Sequence, residues 1–134
     1  MMRSVFIAAA LAAASAVQAA QPGALLADYE AAARRENPAF AGASPLRGER
    51  LFTERHGGEW SCASCHGAAA TAPGKHARTG KMIAPLSPAA NPERFTDAAQ
   101  ADKWFKRNCN DVLGRACTAA EKSDVLAYLL KGRP

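Results

Sequence analysis

The chain has 134 residues, with 17 Lys and Arg against 12 Asp and Glu and a formal net charge of +5. That length holds one small domain with a modest core, so a cofactor or a crosslink can supply a real share of its stability. The cationic excess is mild and spread along the chain, which excludes the aromatic-interleaved basic run that tracks a nucleic acid and leaves a solvated surface or docking to an acidic partner.

The first twenty residues, MMRSVFIAAALAAASAVQAA, open with Arg3, run through the apolar stretch Val5 to Ala14, and end on small residues. A short positive region, an apolar core too short to span a bilayer and a small-residue exit describe a secretory signal peptide. Val17 and Ala19 fit the small-x-small rule, so cleavage is expected after Ala19, with Ala20 as the second choice. An uncleaved anchor would want a longer apolar run. The chain therefore divides into a signal peptide, 1–19, and a domain, 20–134, whose formal charge is (17 − 1) − 12 = +4. Export places that domain in the periplasm, an oxidising compartment where disulfides persist, and processing leaves no membrane-spanning segment.

Ala24 to Glu36 (ALLADYEAAARRE) is rich in strong helix formers and sets Leu25, Leu26, Tyr29 and Ala33 at helical spacing. Asn37-Pro38 and Gly42 break it. In SPLRGERLFTERHGG, Ser44 caps a second helix and Pro45 takes its first position; Leu46 and Leu51 mark the apolar side, and Gly57-Gly58 is the expected stop. From Cys65 to Pro92 the chain is punctuated by Gly67, Pro73, Gly74, Gly80, Pro85, Pro88 and Pro92, a loop long enough to be functional or to wrap something. Two helices close the chain. One starts after Thr96 or Asp97 and carries Ala98, Ala101, Trp104 and Phe105 inward; the other opens on the capping box Thr118 to Glu121 and runs through Val125, Leu126, Leu129 and Leu130 to Gly132. With no internal repeat and no strand-period alternation, the fold class is all-α.

Cys62-Ala63-Ser64-Cys65-His66 is C-x-x-C-H, the attachment sequence of c-type haem. Two thiols separated by two residues can each add to one vinyl group of the same ring, and the histidine directly after the second thiol meets the iron from one face. Its other ring nitrogen is expected to donate to a backbone carbonyl, which orients the ring and raises its basicity. A thioredoxin-like redox pair would want a βαβ setting, and a zinc site would want a second closely spaced ligand pair, which Cys109 and Cys117 do not form. One motif means one covalent haem c, held by Cys62 and Cys65 with His66 as the proximal iron ligand.

The other face of the iron is less determined. His56 and His76 each lie ten residues from His66 and read as a second axial ligand or, more commonly, as surface histidines. Met82 is the single methionine after the leader, sixteen residues beyond His66, early for a chain that must travel round the ring edge. It reads as a sixth ligand or as flexible pocket lining. Trp60 and Trp104 read as haem-pocket or core packing. In KRNCNDVLGRAC, an asparagine near a helix end is ordinarily a cap or a surface residue. Asn108 and Asn110 are about 200° apart on a helix, so only one of them can face the iron.

The order of helix, C-x-x-C-H, Pro/Gly loop and C-terminal amphipathic helix resembles the small class I cytochromes c, in which the first and last helices cross and the loop encloses the haem. More specifically, Thr79-Gly80-Lys81, Pro85-Leu86, Asn91-Pro92, Arg94-Phe95-Thr96 and the block from Asn108-Cys109 to Cys117 match in order the sphaeroides haem protein family of exported monohaem cytochromes. The resemblance covers about Gly48 to Leu130. It implies Asn108 as the distal iron ligand and a disulfide between Cys109 and Cys117. It also implies a dihaem cytochrome c and a membrane cytochrome b as the electron source.

An amide oxygen is a neutral, hard, weak donor that suits Fe(III) better than Fe(II). The expected function is therefore that of a cytochrome that accepts electrons and, once reduced, releases Asn108 and binds small diatomic ligands (O2, NO, CO). A second class is a plain electron carrier with a fixed sixth ligand such as Met82. A third, an oxygen- or NO-reacting enzyme, would need a distal proton donor, and nothing in the spacing of His76, Arg78 or Lys81 marks one of them for that role.

Overall fold

A computed structural model of the chain describes residues 21–132, so the signal peptide expected over 1–19 lies outside the described residues. In chain order the elements are α1 (Pro22–Glu36), α2 (Pro45–Thr53), α3 (Cys62–His66), β1 (Gly74–Lys75), β2 (Met82–Ile83), α4 (Ala98–Leu113) and α5 (Ala119–Leu130).

The last helix organises the rest. Thr118 caps α5 by accepting from Glu121 N, and the Glu121 side chain takes the Thr118 N–H in return. Nearly every turn of α5 is buried, including Ser123, Val125, Leu126 and Leu129, as befits a helix enclosed on most sides. It packs across both α1 and α2. Two apolar clusters meet along it. Leu25 and Tyr29 of α1 join Ala101 and Leu126 in one; Phe52 of α2 joins Ala70, Val125 and Leu129 in the other. Phe95 and Phe105 pack against both clusters, with their rings 6.4 Å apart. Phe95 does so with φ +62, a strained backbone for a bulky residue, held in place by the packing of its ring.

The α2–α5 crossing depends on Gly48, which is buried in the middle of α2. A Cβ there would run into the Asp124 carbonyl group and lie 2.9 Å from Val125 N. The same crossing buries the Asp124 side chain, which accepts from Ser44 N at 2.6 Å and from Arg47 Nε and Nη2 at 2.7 and 2.8 Å. These bonds tie the N-cap of α2 to α5.

Three expectations are corrected here. Helix α2 ends at Thr53, short of Gly57-Gly58, because the His56 ring bonds the Leu51 carbonyl at 2.9 Å and takes one of the helix's terminal acceptors. Leu46 is 58% exposed and Phe52 supplies the buried contact of α2 instead. A small antiparallel hairpin, Gly74 opposite Ile83 and Lys75 opposite Met82, interrupts the expected loop. Its two-residue strands are too short for a period-2 pattern to be legible.

A charged link joins three helices. Tyr29 Oη donates to Asp102 Oδ1 at 2.9 Å, and Lys122 Nζ donates to the same oxygen at 2.8 Å. Burial alone would raise the Asp102 carboxyl, but the bonds from Lys122 and Tyr29 with the Lys122 charge bring it below its ordinary value. At the start of α5, the Arg115 hydrogen bonds hold the Glu121 carboxyl low, outweighing burial, with the Thr118 N–H assisting. A depressed carboxylate contributes stability that is complete above its unfolded pKa, about 4, and is lost as pH falls through the lower folded value. The denaturation midpoint should therefore fall on acidification below about pH 4, and Glu121→Gln should remove part of that slope. A midpoint flat from about pH 5 to about pH 2 would contradict this.

Candidate functional site

The haem motif is a single helical turn with its own cap. Ser64 Oγ accepts the Ser61 N–H at 2.9 Å, the Ser61 and Ser64 hydroxyls lie 3.3 Å apart, and Gly67 (φ +74) turns the chain away after His66. Cys62 and Cys65, three apart on this turn, share a face and carry free thiols. Burial pushes the Cys62 thiol up to about 11, outweighing its backbone hydrogen bond. A redox-active pair wants the opposite shift. Among the described residues no three His, Cys, Asp or Glu side chains converge on a point that could hold a bare metal ion.

His66 lies at the end of this turn, half-buried, with its ring 6.2 Å from that of Phe52. Burial, and then the Arg94 charge, push its imidazole down to about 4. The ring is therefore neutral at ordinary pH, with a lone pair to give. The expected bond from its second nitrogen to a carbonyl is absent: among the described residues neither ring nitrogen is hydrogen-bonded. The Pro85 carbonyl is taken by Arg94 Nε at 3.0 Å and Asn91 Nδ2 at 3.4 Å, while Arg94 Nη2 holds the Ala84 carbonyl at 2.9 Å. A guanidinium thus organises the loop beside His66. Sequence reasoning did not connect Arg94 with His66, since no local pattern joins residues this far apart.

The hairpin is seated directly on the motif. A Cβ on Gly74 would collide with the Cys65 carbonyl and stand 2.8 Å from His66 Cα, and Ala77 N donates to Cys65 Sγ at 3.3 Å. Strand alternation then turns the next pair, Lys75 and Met82, away from Cys65 and His66. Met82 is 64% exposed. It sits in a hairpin anchored beside Cys65 and His66, a poor place from which to reach the far side of a ring held there. His56 is spent on the Leu51 carbonyl, and His76 Nδ1 accepts from Arg78 N and Thr79 N at 3.2 and 3.3 Å, capping the hairpin turn.

Helix α4 begins at the Asp97 cap, which accepts from Gln100 N at 3.0 Å. Ala101, Phe105, Asn108 and Val112 recur at helical spacing on one face; Ala101 and Val112 are buried, Phe105 and Asn108 half-buried. Gly58, four residues before Cys62, passes close to this face, where a Cβ would lie 3.5 Å from the Val112 carbonyl. Asn108 is therefore a carboxamide on an otherwise apolar face, and among the described residues its side chain has no hydrogen-bond partner. Asn110 is exposed and its Nδ2 donates back to Lys106 O at 2.7 Å. The choice the sequence left open between the two is made by the orientation of the helix. Trp104, expected to pack inside, is 47% exposed on the flank of the same face with the Arg107 guanidinium 5.7 Å from its ring. Cys109 and Cys117 are joined as a disulfide, with Cα atoms 5.6 Å apart.

These residues fit a covalent haem. Two thiols of matched spacing and a neutral imidazole after the second would attach and ligate it, and the carboxamide of Asn108, without a hydrogen-bond partner among the described residues, lies on the apolar face of α4. Cys62 and Phe105 border the same apolar cluster, which brings the motif and α4 to one core.

A family model described as a domain of unknown function, DUF1924, matches residues 38–129. The chain is 47% identical over 133 residues to the cytochrome c-type protein SHP of Cereibacter sphaeroides, covering 96% of this chain and 98% of that protein. It is 39% identical over 106 residues to cytochrome c'' of Methylophilus methylotrophus, covering 76% of this chain and 74% of the other. Among solved structures, oxidised SHP, described as an oxygen binding cytochrome c, superposes with a TM-score of 0.72 at 50% identity, covering 82% of this chain and 96% of that one. Oxidised cytochrome c'' superposes with a TM-score of 0.75 at 36% identity, covering 84% and 95%. The all-α, class I cytochrome c-like fold expected from the sequence is the fold of these structures.

Proposed function

We propose, for a chain that belongs to the sphaeroides haem protein family of c-type cytochromes, that it is an electron-accepting haem protein whose Asn108 ligand gives way to small diatomic ligands on reduction. Its cofactor is covalent haem c. The single C-x-x-C-H motif supports one haem per chain.

The haem supplies a one-electron couple and an axial coordination position. The chain does the rest. Cys62 and Cys65 anchor the ring and His66 gives a neutral imidazole from the proximal side. Asn108 gives its carboxamide oxygen, a hard donor that suits the oxidised iron and is relinquished by the reduced one. The Cys109–Cys117 disulfide constrains the end of α4 beside Asn108, so a labile side chain keeps a defined place to return to. The relative's description as oxygen binding supports O2 among the ligands, with NO and CO as diatomics of the same class.

The observation that carries this reading is Asn108 itself, half-buried on the apolar face of α4 and, among the described residues, without a hydrogen-bond partner. The exposed, outward-turned Met82 weighs against a carrier with a fixed thioether. Around this centre we place an exported, periplasmic protein, reduced by a dihaem cytochrome c and, behind it, a membrane cytochrome b. Among the described residues no helix is long and apolar enough to cross a membrane. Whether ligand binding ends in turnover of O2 or NO is a separate step that Asn108 release would permit.

The test is an absorption spectrum of the pure protein, oxidised and reduced, with and without CO. A low-spin ferric form, a high-spin ferrous form and rapid CO uptake are expected. A low-spin ferrous form that ignores CO would make this protein an ordinary carrier.

A further inference from the structure

Between Glu59 and Glu93 the chain carries no acidic residue and three cations, Lys75, Arg78 and Lys81. All three fall in the β1–β2 hairpin and all are exposed. None is ion-paired among the described residues. The exposed Met82 lies across the strands from Lys75. The turn that carries them is well braced: His76 N donates to Lys81 O and Gly80 N to His76 O, both at 2.8 Å, and the Arg78 guanidinium lies 4.9 Å from the Trp60 ring. Through Ala77 N the same turn is bonded to Cys65 Sγ, the sulfur that anchors the haem.

We propose that this hairpin is the docking face for the electron donor, and that the donor presents an acidic protein surface with an apolar centre against Met82. The inference rests on the electron-accepting reading above and adds where the electron enters. One electron leaves the donor, which is oxidised, and would arrive beside Cys65 to reduce the ferric centre; no proton or group passes between the two proteins, and release of Asn108 follows the reduction. Charge complementarity fixes the sign of the partner, because a purely cationic rim is attracted to acidic surfaces and repels a second copy of this basic chain. The braced turn presents its charges without first having to be ordered. The cross-strand Met82, flexible and polarisable, suits a transient contact.

The experiment compares the haem-loaded wild type, Lys75→Glu/Lys81→Glu and a control of equal charge change, Arg34→Glu/Arg35→Glu, at the far end of α1. Each ferric protein is mixed in stopped flow with [Fe(EDTA)]2−, with [Ru(NH3)6]2+ and with a reduced acidic flavodoxin. At low salt the hairpin variant should be reduced at least ~10-fold more slowly by the anionic reagent and the flavodoxin, and faster by the cationic one. The differences should close at about 1 M salt, where the Debye length is about 3 Å. The α1 control should show little of this.

Equal effects in both variants would mean that only net charge matters and would overturn the docking face, as would no effect in either. If the hairpin substitutions abolish binding to phosphatidylserine vesicles but leave the flavodoxin rate unchanged, the hairpin serves a membrane surface and the proposal is wrong. If no reagent reduces even the wild type, the electron-accepting reading fails and takes this one with it.

Discussion

Asn108→Ala should leave the haem attached through Cys62 and Cys65 while the ferric low-spin spectrum is replaced by a high-spin or water-ligated one. Attachment depends on thioether bonds made by α3, and nothing in α4 takes part in them. The sixth donor proposed here, in contrast, is one weak oxygen, and alanine offers no substitute. Because Asn108 forms no hydrogen bond within the described residues, its removal orphans no protein group, so the spectral change should come with little loss of stability. The matched control is Asn110→Ala, which removes only the bond to Lys106 O on the exposed side and should keep the ferric spectrum of the parent. In the reduced state Asn108→Ala should bind CO about as fast as the parent, since the proposed release of Asn108 would leave the carboxamide out of the way in both. A low-spin ferric spectrum surviving in Asn108→Ala would show that another residue ligates the iron.

The second large effect is expected at Gly48. An isolated glycine in a helix ordinarily costs about 1 kcal/mol against alanine, so Gly→Ala should be stabilising on propensity alone. At Gly48 the added methyl would meet the Asp124 carbonyl and the Val125 nitrogen, which are backbone atoms of a buried helix and cannot rotate aside. Overpacking of that kind costs about 1–3 kcal/mol and sometimes more, and a backbone collision belongs at the upper end. The net result for Gly48→Ala should be a loss of about 2 kcal/mol or more, with Gly48→Val failing to fold. Gly23, in the first turn of α1, has nothing within 4 Å of a Cβ, and Gly23→Ala should be neutral or stabilising by a few tenths up to about 1 kcal/mol. Thermal unfolding of the three haem-loaded proteins would check it. A Gly48→Ala protein as stable as its parent would mean that α2 and α5 are free to move apart.

The two predictions draw on different kinds of information. Helices α1, α4 and α5 were readable because their apolar positions recur at 3.6-residue spacing, and α4 and α5 also start on the Asp97 and Thr118 caps, both consequences of backbone geometry close in sequence. The haem motif was readable for the same reason, since one helical turn contains both thiols and the imidazole. Asn108 as ligand entered only through likeness to a family, because a carboxamide near a helix end has many commoner uses.

Local pattern therefore determined the all-α class, the main helices, the cysteine pair with its histidine and the covalent haem they imply. Tertiary structure decided which asparagine faces inward, where α2 stops, why Gly48 cannot carry a side chain, and that Arg94 and the hairpin sit on the proximal segment. The His56 ring apart, those outcomes turn on how separate elements pack: α5 on α2, α4 against the core, and the loop folded back on Cys65 and His66. Periodicity reports which side of an element is apolar, but it carries no record of what that side will meet.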